Sequence, residues 1–286
     1  MSNLTPEIFN LAVVGDIHGS WSNVDHIILE QLNPDGLLFV GDFSDGDLRI
    51  TKKINKISIP TLCILGNHDH GHDKTGEILQ KQLNLLGDKH CGWKFKILNN
   101  HISVLGARPC SAGGGFYLSK EIKALFGPLT EANSIERIKN QSILAPKDKP
   151  LIILSHSGPT GLGSEANSIC GRDWKMPFID WGDRDLSLSI DLIQKERFLD
   201  LVVFGHMHKK LNRNLGDRDL FFIDKKGTAY LNAAIVPRYK KNKEDNLIIN
   251  FSWIIFKNGK IKEISQRWYT EEGVLDDSEI LFLSEH

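Results

Sequence analysis

The chain has 286 residues, 41% of them hydrophobic and 25% charged, with a net charge of −1 at pH 7. Such a composition belongs to an ordinary globular protein with room for one large core. It excludes a global pull toward nucleic acid or a membrane surface, and no apolar run approaches the roughly 20 residues that span a bilayer.

In chain order, the apolar run 11–15 ends on Asp16, with His18 two places on. Ser20 or Ser22 then caps a helix that runs to Leu32, with Val24, Ile27, Ile28 and Leu32 on its apolar face. A second run, 37–41, ends on Asp42, and a helix over 48–57 follows. The run 62–66 ends on Asn67-His68-Asp69, and 75–86 reads as a third helix. Beyond Gly106 the pattern breaks up: Gly113-Gly114-Gly115 marks a turn or close backbone approach, and 122–143 reads as one or two helices interrupted at Gly127-Pro128. The run 151–155 ends on His156. A Gly-, Asp- and Trp-rich stretch from Gly158 to Asp185 follows, of the length used for lids and binding loops. Residues 186–199 read as a helix leading into the run 201–205, which ends on His206-Met207-His208. From Lys210 on the chain is β-rich, over 220–224, 228–234, 247–256 and 260–268. The tail 270–286 either docks as a final strand or stays loose.

Strands alternating with helices predict βαβ units. In such sheets ligands bind where the strands end, so five runs that each end on polar residues should converge at one rim. Asp16-Ile17-His18 and His206-Met207-His208 are i, i+2 pairs, and in extended backbone both members face the same side. Oxygen and imidazole donors without thiolate suit Mn, Fe, Zn or similar divalent ions rather than a closed structural zinc site. The candidate ligands are Asp16, His18, Asp42, Asn67, His156, His206 and His208. Seven exceeds one coordination shell once water is counted; if one carboxylate bridges, they make two sites. Gly-Asn-His-Asp on its own also reads as a tight turn, and Asp69, His70, His72 and Asp73 read as a solvated loop. Arg108 and Arg172 are candidate phosphate contacts, and Trp174, with Trp181 and Phe178, is a candidate stacking surface.

Together these blocks resemble the calcineurin-like metallophosphoesterase superfamily, and 161–183 also resembles a poorly characterised cyanobacterial and plant branch of it. The resemblance implies an α/β four-layer αββα sandwich of two mixed β-sheets flanked by helices. It also implies hydrolysis of a phosphate ester (a monoester or diester, a nucleotide among them) by a binuclear centre with a bridging hydroxide nucleophile. Carried over by position, Asp16, His18, Asp42 and His208 hold the first ion, and Asn67, His156 and His206 the second, with Asp42 bridging. Two such ions would clamp the phosphoryl oxygens for in-line attack. Their +4, set against two aspartates and hydroxide, leaves about +1 for an anionic substrate. His68 takes the leaving-group acid role, oriented by Asp45, although Asp45 as cap of the helix near Leu48 is an equal alternative. Protein Ser/Thr phosphatases of the superfamily carry Arg-Gly and Glu where this chain has Gly46-Asp47 and Asp69, which disfavours that activity.

The competing functions are a non-catalytic protein-binding scaffold on the same fold and a nuclease, the latter resting on Arg238, Lys240, Lys241 and Lys243. The expected partner is a small phosphate-ester substrate, with neither membrane nor nucleic acid. One domain over 1–286 is expected, with a motif-bearing core 11–210 and a β-rich part 211–286. Four scattered cysteines, Cys63 inside an apolar run, and an N-terminus unlike a signal peptide point to a cytoplasmic protein.

Overall fold

A computed structural model describes residues 7–285. Its first sheet contains β1 (Ile8–Val14), β2 (Gly36–Phe39) and β3 (Thr61–Cys63), parallel to one another and linked through helices α1 (Asn23–Leu32) and α2 (Leu48–Asn55). Helix α3 (Glu77–Leu86) then leads to the second sheet through β4 (Phe95–Leu98) and β5 (Ile102–Gly106). Helices α4 (Lys120–Phe126) and α5 (Glu131–Ser142), strand β6 (Leu151–Leu154), helix α6 (Arg184–Ile193) and strands β7 (Leu201–Phe204), β8 (Phe221–Ile223) and β9 (Ala229–Asn232) follow. The chain finally returns to the first sheet with β10 (Tyr239–Lys241), β11 (Leu247–Lys257), β12 (Lys260–Thr270) and β13 (Leu275–Leu283). The first sheet runs β13-β12-β11-β1-β2-β3, with β10 beside β11, and the second β4-β5-β6-β7-β9-β8. In the second, β5, β6, β7 and β9 are parallel and the edges β4 and β8 antiparallel.

Alternation along the strands builds the layers. Leu11 and Val13 of β1, Leu38 of β2, and Ile152, Leu201 and Val203 of the second sheet share one buried cluster between the sheets. Their neighbours Ala12, Val14, Phe39, Ile153 and Val202 turn the other way, toward Ile28, Ile54 and Leu79 of the first helices and Ile138 and Ile190 of α5 and α6. Both faces of the central strands are therefore covered, which is why their sequences read as unbroken apolar runs. The result is the αββα sandwich of two mixed sheets. Among the described residues, no helix is long and apolar enough to cross a membrane.

Several boundaries move for local reasons. Ser22 rather than Ser20 caps α1, in a capping box with Asp25. The Asp73 carboxylate takes the N–H groups of Thr75, Gly76 and Ile78, delaying α3 to Glu77. The helix expected over 186–199 occupies Arg184–Ile193 instead, because Arg197 donates to the carbonyls of Ala145, Pro146 and Lys149 and draws the chain away. The stretch 122–143 is two helices, the first starting at Lys120 behind a Ser119 cap. The tail docks as the edge strand β13.

Candidate metal centre

Strands β1, β2 and β3 lead within two to four residues to Asp16, Asp42 and Asn67 on the first sheet, and β6 and β7 lead two residues on to His156 and His206 on the second. Both sets are parallel, so their carboxyl ends meet where the sheets face each other. The i, i+2 pairs do not converge through extended backbone as expected. His18, Asp42 and His206 have φ of 45°, 50° and 67°, left-handed conformations that non-glycine residues adopt at a cost and that Asp and His tolerate better than most. Sharp turns, not strands, aim these side chains. The glycine before a ligand makes room for another ligand: a Cβ on Gly66 would lie 2.2 Å from Asp42 Oδ1, and one on Gly205 would lie 2.1 Å from Asp16 Oδ1.

The seven residues meet in two joined groups. Asp16, His18 and His208 form one, with His18 Nε2 3.1 Å from His208 Nε2 and His208 Nε2 3.4 Å from Asp16 Oδ2. Asp42, His156 and His206 form the other, with His156 Nε2 3.3 Å from Asp42 Oδ2 and 2.9 Å from Asn67 Oδ1. Asp42 Oδ2 is also 3.8 Å from His18 Nε2, so one carboxylate faces both groups. His156 Nδ1 lies 2.8 Å from Val40 O; donating there directs Nε2 into the cluster, where it offers a lone pair once its proton has left. The Asp16 carboxylate accepts the backbone N–H of His206, which fixes the first strand's ligand to the turn after β7.

The donor set fits divalent cations. His206 Nε2 is buried without a hydrogen-bond partner among the described residues, and an orphaned buried nitrogen calls for a partner such as an ion. Burial raises the carboxyls of Asp16 and Asp42, but His208 and His156 hold them below the usual carboxylate range. Burial lowers the His206 imidazole to about 4, helped by His156. Burial also works against His156, yet the Asp42 and Asp16 carboxylates outweigh it and push it up to about 10. Without an added cation, then, the cluster answers its own negative charge with a proton on His156. Coordination requires that proton to leave.

Beside this cluster, His68 Nδ1 lies 2.7 Å from Asp45 Oδ1, and the half-exposed His68 ring meets the His18 ring edge-on at 5.1 Å. Of the two roles weighed for Asp45, the structure shows the pairing; the cap of α2 is Asp47. Asp69 departs from the expected solvated loop, being fully buried. Its Oδ1 accepts from Phe43 N and Ser44 N and its Oδ2 from Gly66 N, tying two ligand turns together. Burial, with Asp42 nearby, pushes its carboxyl up to about 7.

Of the two arginines expected to contact substrate, the structure commits one elsewhere. Arg108 is buried and committed: Nε and Nη2 pair with Asp185 and Asp183, and the remaining donors reach Tyr117 O and Gly115 O. Arg172 is buried within the long loop, its guanidinium over the Trp181 ring at 5.1 Å and Nη2 donating to Pro177 O. Arg108 holds its loops in place, whereas Arg172 keeps a buried Nε without a hydrogen-bond partner among the described residues. Trp181 is likewise a staple, its Nε1 donating to Ala112 O while Gly114 N donates to its carbonyl. Trp174 is 40% exposed and touches Trp181 edge-on. Sequence reasoning missed Arg218, which is buried and donates to His208 O and to the carbonyls of Ala166, Ser168 and Gly171. With an Asp173 ion pair at 3.5 Å, it fastens the long loop to a ligand's backbone. Nothing around Arg218 in sequence signals this, because its partners are mostly carbonyls.

Comparison with known proteins agrees with this geometry. No curated protein matches the chain significantly. Among solved structures, the protein TT1561 of Thermus thermophilus superposes with a TM-score of 0.54 at 12% identity, covering 88% of this chain and 100% of that one. The purple acid phosphatase PPD1 from yellow lupin (Lupinus luteus) seeds gives 0.55 at 12% identity, covering 96% of this chain and 53% of that one. At such identities the likeness concerns the fold. The family model for calcineurin-like phosphoesterases, in contrast, matches residues 9–210, well over half of the sequence, and so the chain belongs to the calcineurin-like phosphoesterase family and is a phosphoester hydrolase.

Proposed function

We propose that this hydrolase cleaves a small phosphate ester, with Asp16, His18 and His208 holding one divalent ion, Asn67, His156 and His206 a second, and Asp42 shared. The observation that carries the reading is the position of Asp42, whose Oδ2 faces a histidine of each group. Manganese, iron and zinc all suit these donors. Ions bound there supply Lewis acidity, lowering the pKa of coordinated water toward neutrality and offsetting phosphoryl charge. The protein's own part is to fix the ligands on turns braced by Asp69 and Arg218, and to place His68 where a leaving-group oxygen can take its proton. Asp45 orients that imidazole.

A small substrate, a nucleotide or another mono- or diester, is favoured over nucleic acid because three of the four basic residues behind the nuclease reading are paired with carboxylates. Arg238 is buried against Asp25 between Trp21 and Phe251, Lys240 pairs with Asp277, and Lys241 pairs with Asp245. The exposed face of Trp174 is offered to the substrate's leaving group. Four free, buried cysteines suit a cytoplasmic setting. The test is a hydrolysis screen of monoester and diester substrates with Mn, Fe, Zn, Co, Ni and Mg, alongside elemental analysis. About two equivalents of metal and turnover, both lost in Asp42→Ala, are expected. Stoichiometry near zero, or unchanged by that substitution, refutes the binuclear reading.

A further inference from the structure

At the pole opposite the metal ligands lies a half-open pocket of about 550 Å³. It forms where the segments entering β6, β7 and β9 meet the turn between β11 and β12. Pro150 precedes β6 by one residue and His156 follows it by two, so the pocket lies roughly 20 Å from the ligands at about 3.3 Å per residue. It is thus a separate place, reached from the other side of the sandwich.

Its lining is of two kinds. Phe198, Ile223, Ile261 and Phe282 give an apolar wall, on which Phe198 and Ile223 are 57% and 40% exposed. The β11–β12 turn comes close to the wall opposite, since a Cβ on Gly259 would sit 3.8 Å from Pro150. Lys147, Lys149, Arg197 and Lys260 bring four positive charges, against Asp148 and Asp200. A chain of net charge −1 therefore carries a local excess of +2 at this point.

The cations are not equivalent. Arg197 is spent on the carbonyls of Ala145, Pro146 and Lys149, and Lys149 donates to Asn100 O. The Asp200 carboxylate accepts from Leu151 N at the start of β6. Among the described residues nothing engages Lys147 Nζ or Lys260 Nζ, and both residues line the pocket, one from the segment before β6 and one from the β11–β12 turn. Two uncommitted ammonium groups over an exposed aromatic and aliphatic floor match a charged head joined to an apolar body. The volume lies in the range of small-molecule sites, which are mainly apolar with a few placed polar groups.

We infer that this pocket binds a small amphipathic anion, with its carboxylate or phosphate head between Lys147 and Lys260 and its apolar body on Phe198, Ile223 and Phe282. Opposite charge supplies attraction to the head, and burial of the body supplies the larger share of affinity. Neutral amphiphiles of the same length should bind more weakly, and inorganic phosphate alone should not compete.

The test is calorimetric titration of the metal-loaded protein with monomeric decanoate and decyl phosphate, with excess inorganic phosphate present to occupy the metal centre. Saturable one-site binding is expected, at least about tenfold tighter than for decanol. Lys147→Gln combined with Lys260→Gln should weaken decanoate about tenfold and leave decanol unchanged, whereas Phe198→Ser should weaken both. Melting temperature and hydrolysis of a generic phosphate ester should stay as in the parent protein, because neither set of residues touches the metal centre. Absence of saturable binding, displacement by inorganic phosphate, or indifference to the paired lysine change overturns the inference. So does sedimentation with anionic phosphatidylglycerol vesicles when monomeric decanoate does not bind, which would assign the patch to a bilayer surface instead.

Discussion

Replacing Gly66 with alanine tests the idea that the residues before the ligands set the geometry of the centre. Gly66 does not have the left-handed φ seen at Gly41 or Gly46, so alanine meets no backbone penalty there. Only space opposes it. The added Cβ would lie 2.2 Å from Asp42 Oδ1, 2.5 Å from Asp42 N and 2.7 Å from His156 Cε1, where ordinary contact begins near 3.4 Å. Asp42 Oδ1 already accepts the His68 N–H at 2.9 Å, so it has little room to yield. Something must retreat by roughly 1 Å, and whichever group moves is a proposed ligand. Overpacking of this kind costs about 1–3 kcal/mol. A misplacement of about 1 Å at a reacting centre costs on the order of 10²-fold in rate. Gly66→Ala should therefore lower kcat/KM for a nitrophenyl phosphate ester about a hundredfold and reduce bound metal, while the melting temperature falls by only several degrees. Gly127→Ala is the control. It has φ of 79° but nothing within 4 Å of the new atom, so it should cost stability without touching turnover. Turnover within about threefold of the parent and full metal content in Gly66→Ala would refute the reasoning.

Three further outcomes are expected. His68→Ala should keep its metal and lose on the order of 10²–10⁴-fold in turnover on esters with poor leaving groups, and much less on esters whose leaving group needs no proton; equal losses on both would speak for mere positioning. Loading metal at about pH 7.5 should release at least about one proton per chain, measured by calorimetry in buffers of different ionisation enthalpy, because His156 holds its proton up to about pH 10 in the metal-free protein. Apparent metal affinity should accordingly rise with pH and level off near 10. The same proton stabilises the metal-free fold below pH 6.5, and that contribution fades as pH climbs through 10; no proton release would refute the protonated His156. Trp174→Ala should raise KM for the true substrate and spare a small generic diester; a parallel loss of both would make the loop structural.

How much of this was legible in the sequence depends on the range of the interaction. The strands and their ligands could be read because each run and its terminal Asp, Asn or His are neighbours in the chain, and period-2 burial marks the strand. The turns that aim the ligands could not, since left-handed Asp42, His18 and His206 look like any aspartate or histidine until φ is known. The buried carboxylate of Asp69 and the arginines Arg108 and Arg218 were misread or missed for the opposite reason. Their partners lie 3–77 residues away and are mostly backbone N–H or carbonyl groups, which every residue carries and no composition reveals. Arginine near a phosphate-handling loop invites a substrate role from sequence alone. Burial decides otherwise, because a guanidinium taken out of water must have its donors satisfied internally or lose several kcal/mol. Arg108 meets that demand with two aspartates and two carbonyls, and Arg218 with an aspartate and four carbonyls. Each fully engaged arginine holds a loop to an element it does not adjoin in sequence. Removing the guanidinium would strand buried carboxylates and carbonyls as well as free the loop. Such residues should therefore tolerate even lysine poorly, since one ammonium cannot reproduce a planar fork of donors that spans partners on two separate segments.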